Sequence, residues 1–518
     1  MNARALIPLI VVALAAFFGY SQYQSCAITL PGLPEPAQCR VTPGTQTTNQ
    51  PTTPDPTPTT PSTPTTPDPT PTTPSTTPTA PSSPPATGGY IEASLTKAST
   101  NPAENLRPDR AVIFEAFNNK NYPETLSLAG AWLNARPTDA LIALVRSNAL
   151  ARQINQPVIT IGLSVPTSGK TVQAGEAILQ GVNMAVQEAN QAGGIAVQEA
   201  NQAGGIRNKR VVVEILNDQN DRSLAVQAAS SLMGNANILG VIGPVNSSAA
   251  LAAADIYNTG LIHIAPAAVN DQLGSVGPWT YRLFPTANTQ GKALAKIAKA
   301  RGLTRIPVYF DSKDAYSKGL ADAFVRDAAT QNISAVPFEF PKDGLPDQAG
   351  MDVFADSPAP DGVFISGTHL DVARIAKSLS EAGHKVPLLT GSAAYSQELL
   401  TVGGAAVEGL TMLTTFHASI DLENSKAFTK TFQARYGGGT PNARAAQAYD
   451  STRALLEAIK RAKTVDRAGV RTALEGFAAN PPAGVTSKLV FNKGGIVGRP
   501  LVIIEVKNGK LVATGTAQ

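Results

Sequence analysis

The 518 residues hold four histidines, His263, His369, His384 and His417. No two share the three- or four-residue spacing that sets imidazoles on one helix face around a metal. The two cysteines, Cys26 and Cys39, lie far from all of them in sequence. The chain is therefore expected to hold no metal site, and nothing in it calls for a cofactor. His263 falls inside an apolar run and reads as a satisfied core side chain. Asp218, Asp221 and Asp311 follow apolar runs, where a carboxylate serves either catalysis or a helix cap, and capping is the commoner role. There is no Gly-x-x-x-x-Gly-Lys-Ser phosphate loop and no Gly-x-Ser-x-Gly nucleophile elbow. Gly193-Gly194 and Gly204-Gly205 close a helical stretch and do not open one, so they lack the context of a dinucleotide site. An enzyme of hydrolase type has no constellation behind it.

What remains is a set of short polar loops at the ends of apolar runs. The best developed is Gly243-Pro244-Val245-Asn246-Ser247-Ser248. It follows Leu239 to Ile242 and precedes a helical stretch from about Ala249. A helix N-terminus offers free N–H groups and serine hydroxyls add donors, a pairing that suits a carboxylate or a similar anion. The same serines also suit a capping role, and the two roles can coexist.

The elements that must position this loop are short apolar runs alternating with helical stretches. The runs are Val158 to Ile161, Val211 to Ile215, Ile238 to Ile242, Leu261 to Ile264, Ile306 to Phe310, Gly362 to Ile365 and Pro387 to Leu389. Fully apolar strands separated by helices predict an α/β fold whose parallel sheets are covered on both faces. There are too many units for one compact sheet, so two doubly wound lobes are expected.

Upstream the composition changes. Ala5 to Tyr20 is almost wholly apolar behind Arg4, which predicts an export signal or membrane anchor within residues 1–25. With no clean cleavage site after it, an uncleaved anchor is slightly favoured. Cys26 and Cys39 read as a small disulfide loop, as a lipidation site at Cys26 or as two incidental thiols. Residues 42–87 are dominated by Pro and Thr and have no apolar face to bury, so they read as an extended, disordered spacer. Residues 105–153 read as helices. Their stripes, with Pro123 and Pro137 at turns, fit either one and a half tetratricopeptide units or a plain helical linker. Ala185 to Ile195 is repeated without change as Ala196 to Ile206, which reads as a tandem duplication without functional role. The net charge of +4 is spread along the chain and leaves no nucleic-acid footprint.

Residues 157–518 resemble the type I periplasmic binding proteins, and within them the leucine/isoleucine/valine-binding branch of ABC-transporter receptors. The likeness is carried by Gly181-Val-Asn-Met-Ala with Glu188 to Ile195, by Asn217 to Asp221, and by Ile242-Gly243-Pro244 with Ser247-Ser248. Ala254 to Tyr257, Ile264 to Ala268, Tyr281 to Pro285, Tyr316 to Gly319, Glu408 to Leu410 and Ala448-Tyr449-Asp450 continue it in order. The resemblance implies a hinged cleft with one lobe of about 157–284 and 413–486 and another of about 285–412 and 487–518. It implies that Ser247, with Ser248 beside it, and the backbone of Ala267 and Ala268 hold an amino acid's carboxylate. Tyr316 would close from the second lobe, and Ser168 and Gly169 would line the same cleft. It implies a small polar ligand, an inner-membrane ABC permease as partner, a periplasmic or cell-surface location and attachment through the N-terminal anchor.

Three positions depart from the amino-acid receptors. Val269 stands where a hydroxyl residue is expected, Ser392 where an acid is expected to hold the ligand ammonium, and no aromatic lies near Ala174. A buried ammonium without an anionic partner is strongly disfavoured, so the cleft is expected to favour ligands without one. A second reading is a regulatory envelope protein of the kind that activates penicillin-binding proteins, where helical segments precede the same fold and bind partner proteins. Residues 1–87 hold nothing that completes a core, so a chain lacking them should remain soluble and folded. Circular dichroism checks this, and an insoluble product without helical and strand signals is the contrary outcome.

Overall fold

The computed structural model describes residues 108–191, 206–419, 423–491 and 501–517. The expected anchor at 1–25, Cys26, Cys39, the spacer at 42–87 and most of the duplicated segment lie outside the described residues. Among the described residues no helix is long and apolar enough to cross a membrane.

Three helices come first: α1 (Pro108–Asn118), α2 (Tyr122–Ala135) and α3 (Ala140–Gln153). Then follow β1 (Val158–Val165), α4 (Val172–Gln191), β2 (Arg210–Asn217), α5 (Arg222–Gly234), β3 (Ile238–Ile242), α6 (Ser247–Tyr257), β4 (His263–Ala265) and β5 (Thr280–Arg282). The next series is α7 (Ala287–Ala300), β6 (Arg305–Phe310), α8 (Ala315–Thr330), β7 (Ser334–Glu339), α9 (Gln348–Asp352), β8 (Val363–Ser366), α10 (His369–Glu381), β9 (Leu388–Thr390), α11 (Gln397–Gly403) and β10 (Thr411–Thr414). The chain ends with α12 (Glu423–Arg435), α13 (Ala443–Arg461), α14 (Arg467–Glu475), β11 (Leu501–Lys507) and β12 (Lys510–Ala517).

Two sheets result. The first runs β2-β1-β3-β4-β5 and every pairing in it is parallel. Its interior strand β1 is buried along almost its whole length, because helices cover both faces. The second runs β12-β11-β10-β9-β8-β6-β7. It is parallel from β10 to β7, but β11 and β12 are antiparallel. Parallel pairing dominates both sheets as expected, and this antiparallel edge is the exception. Asn508 and Gly509 join β11 to β12 with φ of 51° and 65°, the left-handed pair that a two-residue hairpin turn needs.

The expected lobe boundaries also move. The 412/413 boundary cuts through β10, which pairs with β9 and β11 in the second sheet. The 486/487 boundary falls too early, because the Phe491 ring meets Tyr281 edge-on at 5.7 Å and Phe477 at 6.2 Å, both on the first lobe. The chain thus passes to the second lobe between β5 and α7, returns between β10 and α12, and passes again between Phe491 and β11.

The three leading helices belong to the first lobe's core. Ile113, Phe114, Trp132 and Leu141 are buried in the same apolar cluster as Ile178 and Ile215. Asp139 ties the three together. It caps α3 by accepting from Ile142 N–H at 3.1 Å, pairs with Arg110 at 3.2 Å and accepts from the Trp132 indole at 2.9 Å. Helix α3 then closes the free edge of β2. Asn148 Nδ2 donates to Val213 O at 2.7 Å, and Val213 N–H donates to Asn148 Oδ1 at 3.0 Å. Asn190 of α4 does the same for Val211, at 3.0 and 2.8 Å. Two side-chain amides thus stand where a sixth strand would pair, which removes the hazard of an open edge. A helical fragment too short to stand alone gains its stability this way.

Asn148→Ala would leave the N–H and C=O of Val213 buried and unpaired, at about 1–3 kcal/mol for each group. A loss of about 2–4 kcal/mol in urea unfolding is expected, and a change under about 0.5 kcal/mol would show that the amide is dispensable. Glu214, also on β2, has its carboxyl pushed up from 4.5 to about 7 by burial, against the opposing hydrogen bond from Asn235. The folded protein then holds a proton that the unfolded chain releases between those values, so stability falls as pH rises through that window. Glu214→Gln should raise the melting temperature at pH 8 and leave it nearly unchanged at pH 4.

Candidate functional site

Parallel pairing brings the carboxyl ends of β1, β3 and β4 to one edge of the first sheet, where open α/β sheets bind ligands. After β3 the chain turns sharply. Gly243 has φ of 86°, and a Cβ there would stand 2.0 Å from Ser164 O, so only glycine fits beside β1. Asn246 takes the N-cap position of α6 but makes no side-chain cap bond. The serines do not cap either, which removes that half of the sequence reading. The buried Ser247 hydroxyl accepts from Val269 N–H at 3.1 Å and from Asn270 N–H at 3.2 Å, sewing the loop after β3 to the loop after β4.

Ser248 faces the other way. Its hydroxyl donates to Asp314 Oδ2 at 2.8 Å and accepts from Ala315 N–H at 3.0 Å. Both partners belong to the second lobe, at the start of α8. Asn270 adds a third bond across, from its Nδ2 to Ala315 O at 2.7 Å. Lys170 and Asp343 also pair between the lobes at 2.6 Å, but both side chains are largely solvated, so the pair is worth little.

Tyr316 follows Ala315 directly and is 8% exposed. Burial raises its pKa, so it stays a neutral phenol. Its Oη accepts from Ala393 N–H at 3.1 Å, and Ser392 N–H donates to Gln290 Oε1 at 3.2 Å. A Cβ on Gly391 would meet Tyr316 Oη at 2.5 Å, so the ring can approach this loop only over a glycine. From the first lobe, Arg444 near the start of α13 reaches the same loop. Its guanidinium donates to Ala393 O at 3.2 Å and Tyr395 O at 3.5 Å.

The structure therefore gathers Ser247, Ser248, Tyr316 and Ser392 into one linked set, with Ala267 and Ala268 on the segment directly after β4. Ser168 stands apart. Its hydroxyl accepts from Asn217 Nδ2 at 2.8 Å on the β2 side, with Gly169 next to it at φ of 83°. Val269 is buried in a cluster with Phe284 and Tyr316 and offers only its backbone. A groove of about 710 Å³ lies between α6 and α8, but of the expected site residues only Ser248 borders it.

Sequence reasoning missed Asn270, Asp314 and Arg444. The available signal for Arg444 was a charge among Ala443, Ala445 and Ala446 at a helix start. It also gave His263 too comfortable a place. The ring is buried against Tyr257, centroids 4.9 Å apart, and burial pulls its pKa down to about 3. Its Nε2 has no partner among the described residues. Asp450, quoted above as a family motif, is structural, since it accepts from Val485 N–H at 2.8 Å and Thr486 N–H at 3.0 Å. Among the described residues no three His, Cys, Asp or Glu side chains are grouped to hold a metal ion.

Comparison with known proteins bears on the family and the fold. Residues 158–510 match the model of the family described as periplasmic binding protein. A Leu/Ile/Val-binding protein homolog of Brucella melitensis is 26% identical over 362 residues, 68% of this chain and 93% of that protein. A leucine-binding protein structure from Thermotoga maritima superposes with a TM-score of 0.63 at 25% identity, covering 70% of this chain and 99% of that one. An ABC transporter substrate-binding protein from Desulfitobacterium hafniense, solved with Leu, gives 0.58 at 25% identity over 69% and 99%. Members of the family are extracytoplasmic substrate-binding components of transporters and not enzymes. On these grounds the chain belongs to the periplasmic binding proteins of type I, and it is similar to Leu/Ile/Val-binding members of that family.

Proposed function

We propose that this chain is a receptor that closes its two lobes on a small polar solute and presents it to an ABC permease in the inner membrane. Residues 1–25 would anchor it and residues 42–87 would hold the receptor away from the bilayer. The observation that carries this reading is the pair of serines at the start of α6. Ser247 locks the loops of one lobe together, while Ser248 reaches the first turn of α8 in the other, next to Tyr316. Contacts made only when the lobes are shut are what a ligand-driven closure requires.

The ligand would lie among Ser247, Ser248, the backbone of Ala267 and Ala268, and Tyr316 and Ser392, with Ser168 and Gly169 at the rim. Both hydroxyl lone pairs of Ser247 are taken by backbone donors, so its proton is the part free to reach a ligand oxygen. The partner-protein reading shares the fold and differs in the binding surface. Pull-down of envelope proteins set against calorimetry with small solutes separates the two.

Ser248→Ala removes one donor and one acceptor from the closed arrangement, at about 1 kcal/mol or more per bond. Affinity for a solute found by screening amino acids and their des-amino analogues should fall about fivefold to fiftyfold, with the melting temperature of the unliganded protein nearly unchanged. Ser247→Ala should lower that melting temperature as well, because Val269 and Asn270 lose their buried acceptor. Unchanged affinity in both variants would remove this loop from the site.

A further inference from the structure

We infer that the cleft selects organic carboxylates that carry no ammonium group, and that Arg444 is the residue that holds their charge. This rests on the receptor reading and adds the chemical class of the ligand. Arg444 leaves the first turn of α13 on the first lobe and crosses to the loop after β9 on the second. There it meets two backbone carbonyls, Ala393 O and Tyr395 O. A guanidinium has five N–H donors and matches a carboxylate's two oxygens side by side. Among the described residues no carboxylate is paired with it, and its half-buried charge is met by the two carbonyls and by the neutral Tyr316 phenol. A cation drawn out of water without an anion is costly, and a ligand carboxylate supplies that anion.

The acids nearby are already committed. Asp314 takes the Ser248 hydroxyl and the Ser317 N–H at the start of α8. Glu398 takes His369 Nε2 at 2.8 Å, and Asp371 takes Thr368 N–H and Arg374. Ser392 brings no charge to the loop that Arg444 touches. Two hydroxyl protons are also at hand as donors: that of Ser247, whose oxygen is already held by two N–H groups, and that of Tyr316, whose oxygen is held by the Ala393 N–H with the Ser392 side chain beside it. An ammonium set here would face a guanidinium and hydroxyl donors, with no free acid beside it among the described residues.

The test uses matched probes with the full chain: 4-methylpentanoate, benzoate, leucine and 4-methylpentanamide, titrated by calorimetry. At least one of the two ammonium-free carboxylates should bind, and leucine should bind at least about tenfold more weakly than 4-methylpentanoate. Arg444→Gln should weaken the carboxylate about tenfold to hundredfold, Arg444→Lys less, and neither should change the weaker binding of the amide. Circular dichroism and melting temperature establish that each variant is folded. Equal losses for carboxylate and amide would make Arg444 a latch between lobes and overturn the inference. Leucine binding as tightly as its des-amino analogue would overturn it too, and so would binding of leucine or the amide with neither carboxylate bound. In those cases the receptor reading stands. If none of the probes binds, the inference fails. A screen of neutral solutes then decides the receptor reading on its own.

Discussion

Parallel pairing of buried strands is the constraint on which this protein depends. A parallel neighbour cannot be reached by a tight turn, so each strand needs a long crossover, in most cases a helix, and the helices bury both faces of the sheet. Every crossover leaves from the same edge. In the first lobe the loops after β1, β3 and β4 are thereby stacked side by side, close enough that Gly243 touches Ser164 O and Ser247 bonds the N–H groups after β4. The second lobe repeats the pattern, and Tyr316 and the Gly391 loop emerge at its matching edge. The cleft is the meeting of these two edges.

The same constraint leaves β2 with an unpaired side. The solution here is unusual in its economy of backbone: Asn148 and Asn190 present amides with the donor and acceptor that a peptide group would offer. This makes helices α1 to α3 part of the first lobe's structure. Asp139 fixes their mutual packing through one carboxylate with three partners.

Charge in the cleft is unevenly shared. Acids on the second lobe are occupied by helix starts, by Ser248 and by His369, while Arg444 spends its donors on neutral carbonyls. Burial holds its pKa below the usual range, and the neutral phenol of Tyr316 can do little to restore it. His369 is held below its ordinary pKa as well, mainly by burial and then by the Arg444 charge, with Glu398 opposing both.

Apolar runs of three to five residues separated by helical stretches were enough to read the α/β class and two lobes, because parallel strands buried on both faces cannot hide their composition. The Gly243 to Ser248 loop was legible for a similar reason, since a polar, glycine-led turn between an apolar run and a helix has few other uses. The Asn508-Gly509 hairpin was also written in the residues, yet its antiparallel pairing onto β10 depends on which strand lies at the sheet's end, and that is decided by the last crossing. Which way each serine faces could not be read, because Ser247 and Ser248 differ only by about a hundred degrees around one helix. Only the position of the loop after β4 and of α8 tells them apart. Arg444 is about 130 residues from Tyr316 in the chain, so its place in the cleft exists only once α13 has packed beside α4 and the two lobes have met.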